Sequence, residues 1–183
     1  ESVRKNAAWA LGDLADLGSV TRKKLGGLDS LTAISDAFQI DYFKNGKLQL
    51  LIATADKMYA IDRLGDPLPG FPIALPGEKI DRLSLLDYDN NKEYRYFLAT
   101  ESGNLWLLDK LGKQLEGWSP LKLGEKTKST PFHARVQGKG DFLVVLGASG
   151  KLYLFNRKGE PQAGSPVILP EGIASPIVLK KTS

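Results

Sequence analysis

The sequence predicts an all-β fold made of β-propeller blades: three complete four-stranded blades and one strand of another, preceded by one short N-terminal helix. Three observations support this prediction, namely a 47-residue internal repeat, four predicted strands in each repeat and the composition of a globular protein. The chain has 183 residues, of which 42% are hydrophobic and 25% charged, and its formal net charge is +4. It contains no cysteine, which excludes disulfide scaffolds, thiolate zinc sites and cysteine nucleophiles.

The internal repeat appears as three segments that align without gaps. They begin at Lys57, Asn104 and Lys151, and each ends in Asp-x-x-Gly or Asn-x-x-Gly. Three series of residues keep the same spacing of 47. They are Tyr59, Trp106 and Tyr153; Gly65, Gly112 and Gly159; and Gly70, Gly117 and Gly164. Three independent series with one period indicate a structural repeat.

Each repeat unit has the same predicted order of four strands. The first strands are expected at 34–43, 80–88 and 131–137, and the second at 48–53, 94–100 and 142–147. The third strand is the aligned segment, which alternates apolar and polar residues in places, as a half-buried strand does. Proline precedes the fourth strand and cannot donate a ladder hydrogen bond, so this strand is expected at an exposed sheet edge.

The period assigns residues 33–78, 79–125 and 126–172 to blades and residues 173–183 to the first strand of a further blade. Neighbouring blades bury each other's faces, so the repeated aromatic residues are expected in blade-to-blade contacts rather than in a ligand site. Three blades and one strand do not close a ring. We therefore expect the chain, which begins with Glu1, to be part of a larger propeller; completion of a fourth blade by the first 30 residues is the alternative.

Residues 1–18 differ from the rest of the chain. Apolar residues recur there at helical spacing, with Ser2 as a capping residue and Gly18 at the end. This pattern predicts one amphipathic helix. Residues 19–32 carry basic residues and glycines and are expected to form a solvated connector.

The repeats resemble those of exported bacterial propellers of the FG-GAP/VCBS-like and PQQ-like types. The resemblance rests on the segments 58–73 and 103–120, and the runs 38–51 and 86–91 are similar to propeller proteins of Bacteroidota. It implies a periplasmic or cell-surface location, with a lipid anchor in a part of the protein outside this chain. Because a fold does not fix a function, it implies little about activity.

The residues Asp87, Asp89 and Asn91 are the candidate metal ligands. Oxygen atoms at alternating positions can converge on a hard cation such as Ca²⁺, and FG-GAP-like repeats use a related loop in this way. Here Lys92 stands where that loop has glycine, and Asn91 stands where it has an aspartate. A hairpin turn stabilised by Asx side chains is the alternative interpretation.

No catalytic constellation emerges from the remaining residues. His133 is the only histidine, and no Gly-x-Ser-x-Gly nucleophile elbow exists. No cage for a quinone cofactor is recognisable, no run of 18 apolar residues could span a membrane, and the basic residues are too scattered for nucleic acid.

We expect a non-catalytic binding or scaffold module that uses no cofactor and engages protein partners at the cell envelope. A glycan- or calcium-dependent binding module and a part of a quinoprotein-like enzyme are the alternatives.

Overall fold

The computed structural model describes residues 32–118 and 120–170. These residues form twelve strands and no helix. The predicted helix at 1–18, nearly all of the connector at 19–32 and the predicted strand at 173–183 lie outside the described residues.

The twelve strands form three separate four-stranded antiparallel sheets, and in each sheet the strands lie side by side in chain order. The first blade contains β1 (Phe38–Ile40), β2 (Gln49–Ala53), β3 (Lys57–Ile61) and β4 (Ile73–Ala74). The second contains β5 (Ile80–Leu86), β6 (Arg95–Thr100), β7 (Asn104–Asp109) and β8 (Leu121–Lys122). The third contains β9 (Phe132–Val136), β10 (Gly140–Leu146), β11 (Lys151–Phe155) and β12 (Val167–Ile168). The prediction of four-stranded propeller blades is confirmed.

The first strand of each blade is shorter than the sequence suggested. Only Phe38–Ile40 is a strand within the predicted 34–43, and Ala33 forms just an isolated bridge with Thr54. After Ile40 the chain turns because the carboxylate of Asp41 accepts hydrogen bonds from the amides of Asn45 and Gly46. The short fourth strands, β4, β8 and β12, lie at sheet edges, as the prolines before them predicted.

The middle blade buries both of its faces. On β7, Trp106 and Leu108 belong to the apolar core shared with the first blade, whereas Leu105 and Leu107 belong to the core shared with the third blade. Successive side chains of a strand point to opposite faces, so one strand contributes to two cores. This arrangement explains why the second blade is nearly continuously apolar along β6 and β7.

Trp118 fixes the contact between the second and third blades. Its side chain is fully buried, and its rings pack edge-on against Phe97 of the second blade and Phe155 of the third. Its indole Nε1 donates a 2.9 Å hydrogen bond to the backbone oxygen of Arg157. The glycine before it, Gly117, lies so close to Lys158 that the two blades meet there backbone to backbone.

The repeated aromatic residues occupy three different environments. Trp106 is buried in the core between the first two blades, as predicted. Tyr153 is half-buried against the second core, and its hydroxyl donates a 2.7 Å hydrogen bond to Glu125. Tyr59 is half-buried and points away from the core that its neighbours Met58 and Ala60 enter. Only the first two of these residues therefore lie in contacts between described blades.

Candidate functional site

Each blade presents two ends, which differ in the loops they carry. One end holds the connections from the first to the second strand and from the third to the fourth strand; we call it the loop face. It comprises residues 41–48, 62–72, 87–94, 110–118, 137–139 and 156–166. The opposite end, the turn face, holds the tight turns between the second and third strands and the connections between blades. Contacts between Tyr42 and Lys110 and between Asp89 and Arg157 show that the loop ends of neighbouring blades meet.

The first loops of two blades share one internal design. Asp41 accepts hydrogen bonds from the amides of residues 45 and 46, both at 2.9 Å. Asp87 accepts equivalent bonds from the amides of Asn91 at 3.0 Å and Lys92 at 2.9 Å. Each carboxylate therefore takes the place of a backbone turn and fixes the loop around itself.

The three candidate calcium ligands have separate partners. Asp87 caps its own loop, Asp89 pairs with Arg157 at 2.9 Å and Arg135 at 3.1 Å, and the side-chain oxygen of Asn91 accepts the amide of Glu93 at 3.0 Å. Within the part of the chain that the structure describes, no group of three or more histidines and carboxylates could hold a metal ion. Calcium binding stays a prediction, and it would require these oxygens to leave their present partners.

Lysines cross-brace the loop faces of the first and second blades. Lys92 Nζ lies 2.5 Å from Asp41 Oδ2, and Lys44 pairs with Glu93 in the opposite direction. The hydrogen bond from Lys92 lowers the pKa of Asp41, and the bond from Lys44 lowers the pKa of Glu93. Each of these two carboxylates is therefore neutralised by a lysine of the neighbouring blade: Asp41 by Lys92, and Glu93 by Lys44.

Guanidinium groups join the loop faces of the second and third blades, because Arg135 and Arg157 of the third blade both pair with Asp89 of the second. A second carboxylate, Asp141 of the third blade, holds the same two arginines. Asp141 accepts hydrogen bonds from Arg135 at 2.7 Å and pairs with Arg157 at 2.6 Å, and its contact with Arg135 holds its pKa well below the usual range. The only histidine, His133, places Nε2 2.8 Å from the same carboxylate. Arg157 also lies over the ring of Tyr88, 4.4 Å from the centroid, and burial raises the pKa of Tyr88 to about 12.

The turn face contains a second repeated brace, which the sequence reasoning missed. Glu78 accepts hydrogen bonds from Ser102 and Asn104 of the following blade. Glu125, which lies 47 residues later, accepts bonds from the amide and hydroxyl of Ser149 and from the hydroxyl of Tyr153. The signal was present in the sequence, because both the glutamates and the serines recur with the period of the repeat.

A cavity of about 540 Å³ runs along the first strands of the three blades. Its lining is mixed: Phe38 and Phe132 supply aromatic surface, while Asp36, Arg82 and His133 supply charged or titratable groups. Among the described residues, the strands β1, β5 and β9 each pair with one neighbouring strand only, so their unpaired backbone edges border this space. The sequence reasoning did not find the cavity because its walls come from three repeats.

Comparison with known proteins supports the architecture. Two solved structures of BBS1N in complex with ARL6DN are similar to this chain: one at 20% identity and a TM-score of 0.55, the other at 18% identity and 0.56. The alignments cover 76% and 72% of this chain and 40% and 42% of the matched chains, so the chain spans about two fifths of their length. The fold is that of a β-propeller.

The other comparisons return no relatives: no family model and no curated protein matches the sequence. The residues that the structure describes contain no helix long and apolar enough to cross a membrane.

Proposed function

We propose that this propeller segment is a non-catalytic binding and scaffold module, which engages a protein partner at the envelope of a bacterial cell. The observation that carries the proposal is the cavity along the first strands of the three blades, which together offer aromatic rings, charged groups and strand edges that are unpaired among the described residues. The likeness to BBS1N, a propeller solved in complex with another protein, supports the choice of a protein as the partner. The periplasmic or cell-surface location rests on the resemblance to exported repeats.

The chemistry of the cavity favours binding over catalysis. The lining includes one histidine, His133, and the serine Ser84 on the neighbouring first strand, and both are engaged elsewhere. His133 Nε2 faces the carboxylate of Asp141, and the Ser84 hydroxyl donates to the backbone oxygen of Pro131. Neither group is directed at the other, so the pair lacks the hydrogen bond that activates a nucleophile.

An extended segment of a partner fits the walls of this cavity. In the described part of the chain, the first strand of each sheet is paired on one side only, and unpaired strand edges bind extended peptides through backbone hydrogen bonds. Phe38 and Phe132 lie on two such strands and could hold apolar side chains of the segment, while Arg82 and Asp36 could orient its charges. Aromatic and arginine side chains are the residue types that dominate binding energy at protein interfaces.

Site-specific photocrosslinking tests this proposal. A photoreactive amino acid replaces Asp36 or Thr130, two exposed residues that line the cavity. The matched control carries it at Ile168, which is 78% exposed on the outer edge of the third blade. We expect both cavity positions to capture the same polypeptide in the cell envelope and the control position to capture none of it. Equal capture at all three positions, or different products at the two cavity positions, would contradict the proposal.

A further inference from the structure

We propose that Asn45 is a site of spontaneous modification, at which the backbone nitrogen of Gly46 closes a succinimide ring that water opens to aspartate or isoaspartate. The site lies on the loop face, in the first loop of the first blade, and is separate from the cavity of the proposed function. Both residues are exposed to solvent. Of the six asparagines in the sequence, Asn45 is the only one followed by glycine.

The side chain of Asn45 is folded back over the peptide bond that follows it. Its Oδ1 accepts a 3.0 Å hydrogen bond from the amide of Lys47, two residues further along the chain. This Asx turn imitates a backbone turn and draws the carbonyl carbon Cγ towards the nitrogen of Gly46, the approach that ring closure needs. The same bond polarises the side-chain carbonyl and stabilises the negative charge that Oδ1 carries once a nucleophile has added to Cγ.

The attacking nitrogen is unhindered and already faces a proton acceptor. The amide of Gly46 donates a 2.9 Å hydrogen bond to Oδ2 of Asp41, so a carboxylate holds the proton that this nitrogen must lose. Because glycine carries no side chain, nothing on residue 46 itself obstructs the approach of its nitrogen to Cγ. The loop therefore combines a polarised electrophile, an open nucleophile and a base.

The reaction balances with water as its only added reactant. A bond forms between the nitrogen of Gly46 and Cγ of Asn45, and the bond from Cγ to Nδ2 breaks. The proton of the Gly46 amide passes through the Asp41 carboxylate to the leaving nitrogen, which departs as ammonia. Water that then adds at Cγ opens the ring to aspartate, and water that adds at the main-chain carbonyl opens it to isoaspartate.

Isoaspartate at position 45 weakens the contact between the first two blades. The amides of Asn45 and Gly46 both donate to Asp41, and Asp41 pairs with Lys92 of the second blade at 2.5 Å. In isoaspartate the main chain runs through the former side chain, which inserts an additional atom between the two amides. The amides then no longer fit the same carboxylate in their present geometry, so the loop that presents Asp41 to Lys92 loses its internal support.

The second blade contains the same loop with one difference, which makes it a natural control. Asn91 Oδ1 accepts the amide of Glu93 at 3.0 Å, and the amide of Lys92 donates to Asp87 at 2.9 Å. The residue after this asparagine is a lysine with a φ of +63°, where the first blade has Gly46 with a φ of +79°. The lysine side chain crowds the approach of its own nitrogen to Cγ of Asn91, so the hydrogen bonds are matched while the nucleophile is hindered.

Peptide mapping by mass spectrometry of the folded chain, incubated at neutral pH, tests the proposal, and an isoaspartyl methyltransferase quantifies isoaspartate. We expect Asn45 to convert at least about tenfold faster than Asn91, and at least as fast as it does in a free synthetic peptide of residues 41–49. Equal rates at the two asparagines would overturn the proposal. Slower conversion in the folded chain than in the peptide would also overturn it, because the fold would then protect Asn45 instead of preparing it for ring closure.

Reciprocal substitutions test the role of the glycine. Gly46→Ala has room for its Cβ, since no described atom lies within 4 Å of that position, and it is expected to slow conversion of Asn45 at least about tenfold. Lys92→Gly is expected to speed conversion of Asn91 at least about tenfold, whereas Lys92→Ala, which also removes the contact with Asp41, is expected to leave it slow. If Lys92→Gly and Lys92→Ala give the same rate at Asn91, the proposal is wrong. Crosslinking from the cavity is a separate readout, so the proposed function and this inference can fail independently.

Discussion

The contact between the second and third blades can be tested at a single glycine. Gly117 has a φ of +83° and lies against the backbone of Lys158: an added Cβ would lie 2.8 Å from the carbonyl carbon and overlap its oxygen. The same repeat position in the third blade, Gly164, has a φ of +81° and no atom within 4 Å of an added Cβ. Substitution by alanine therefore imposes the same backbone strain at both positions but a steric overlap at Gly117 only.

The expected magnitudes follow from these two geometries. A left-handed conformation costs a non-glycine residue about 1–2 kcal/mol, and alanine recovers about 0.4–1 kcal/mol through the lower entropy of the unfolded chain. Gly164→Ala should therefore lower the free energy of unfolding by about 1 kcal/mol. At Gly117 the backbone of Lys158 must also move, and forced overpacking adds about 1–3 kcal/mol. Gly117→Ala should cost about 2–4 kcal/mol in total.

Urea unfolding of both variants measures this difference. Gly70→Ala is a second control, because its added Cβ would meet the carbonyl oxygen of Leu111 at 3.5 Å, an ordinary van der Waals distance. We expect Gly70→Ala to behave like Gly164→Ala. If all three substitutions cost the same free energy, the backbone contact between the blades is not as close as described, and the reasoning from blade packing fails.

Three further predictions concern the two buried tryptophans, the ion pairs of Asp141 and calcium binding. Trp118→Phe should cost about 1 kcal/mol more in unfolding free energy than Trp106→Phe, because the indole of Trp118 donates a hydrogen bond whereas the buried Nε1 of Trp106 has no hydrogen-bond partner among the described residues. Chemical denaturation of the two variants checks this. The pKa of Asp141 is lowered in the folded state, so its stabilising contribution is present above the ordinary aspartate pKa of about 3.9 and is lost as the pH falls below that value. Urea midpoints between about pH 7 and pH 3 should therefore fall more steeply at the acid end for wild type than for Asp141→Asn. Addition of calcium in place of chelator should leave the melting temperature unchanged, because Asp89 is already paired with two arginines. A calcium site would instead stabilise the folded protein by about 2.7 kcal/mol at a calcium concentration about a hundred times its Kd.

Each of these predictions has a result that would count against it. Equal costs for the two tryptophan variants would mean that the bond to the Arg157 carbonyl contributes nothing. If the urea midpoints of wild type and Asp141→Asn fall equally as the pH is lowered, Asp141 does not contribute to the loss of stability in acid. A calcium-dependent rise in the melting temperature that is lost in Asp89→Asn would establish the metal site that the sequence predicted.

Several features of the architecture were readable from the sequence because they repeat. A spacing of 47 residues between Tyr59, Trp106 and Tyr153 needs no knowledge of contacts, and proline before a short apolar stretch marks an edge strand wherever it occurs. The blades themselves follow, since one four-stranded sheet cannot cover both of its faces and must stack with copies of itself. Local chemistry also explains the turns, in which the side-chain oxygen of an aspartate or asparagine accepts the amides of the residues on either side of the glycine.

The candidate sites were decided by the tertiary structure. Asp87, Asp89 and Asn91 look like one set of ligands in the sequence, yet the structure gives each a different partner, and the cations that hold Asp89 come from positions 135 and 157. The cavity and the loop face are likewise built from residues of different repeats. Hydrogen bonds and ion pairs between blades depend on how neighbouring sheets are rotated and spaced, which no local pattern encodes. The sequence therefore determined the repeating unit, and the packing of one unit against the next determined which side chains meet.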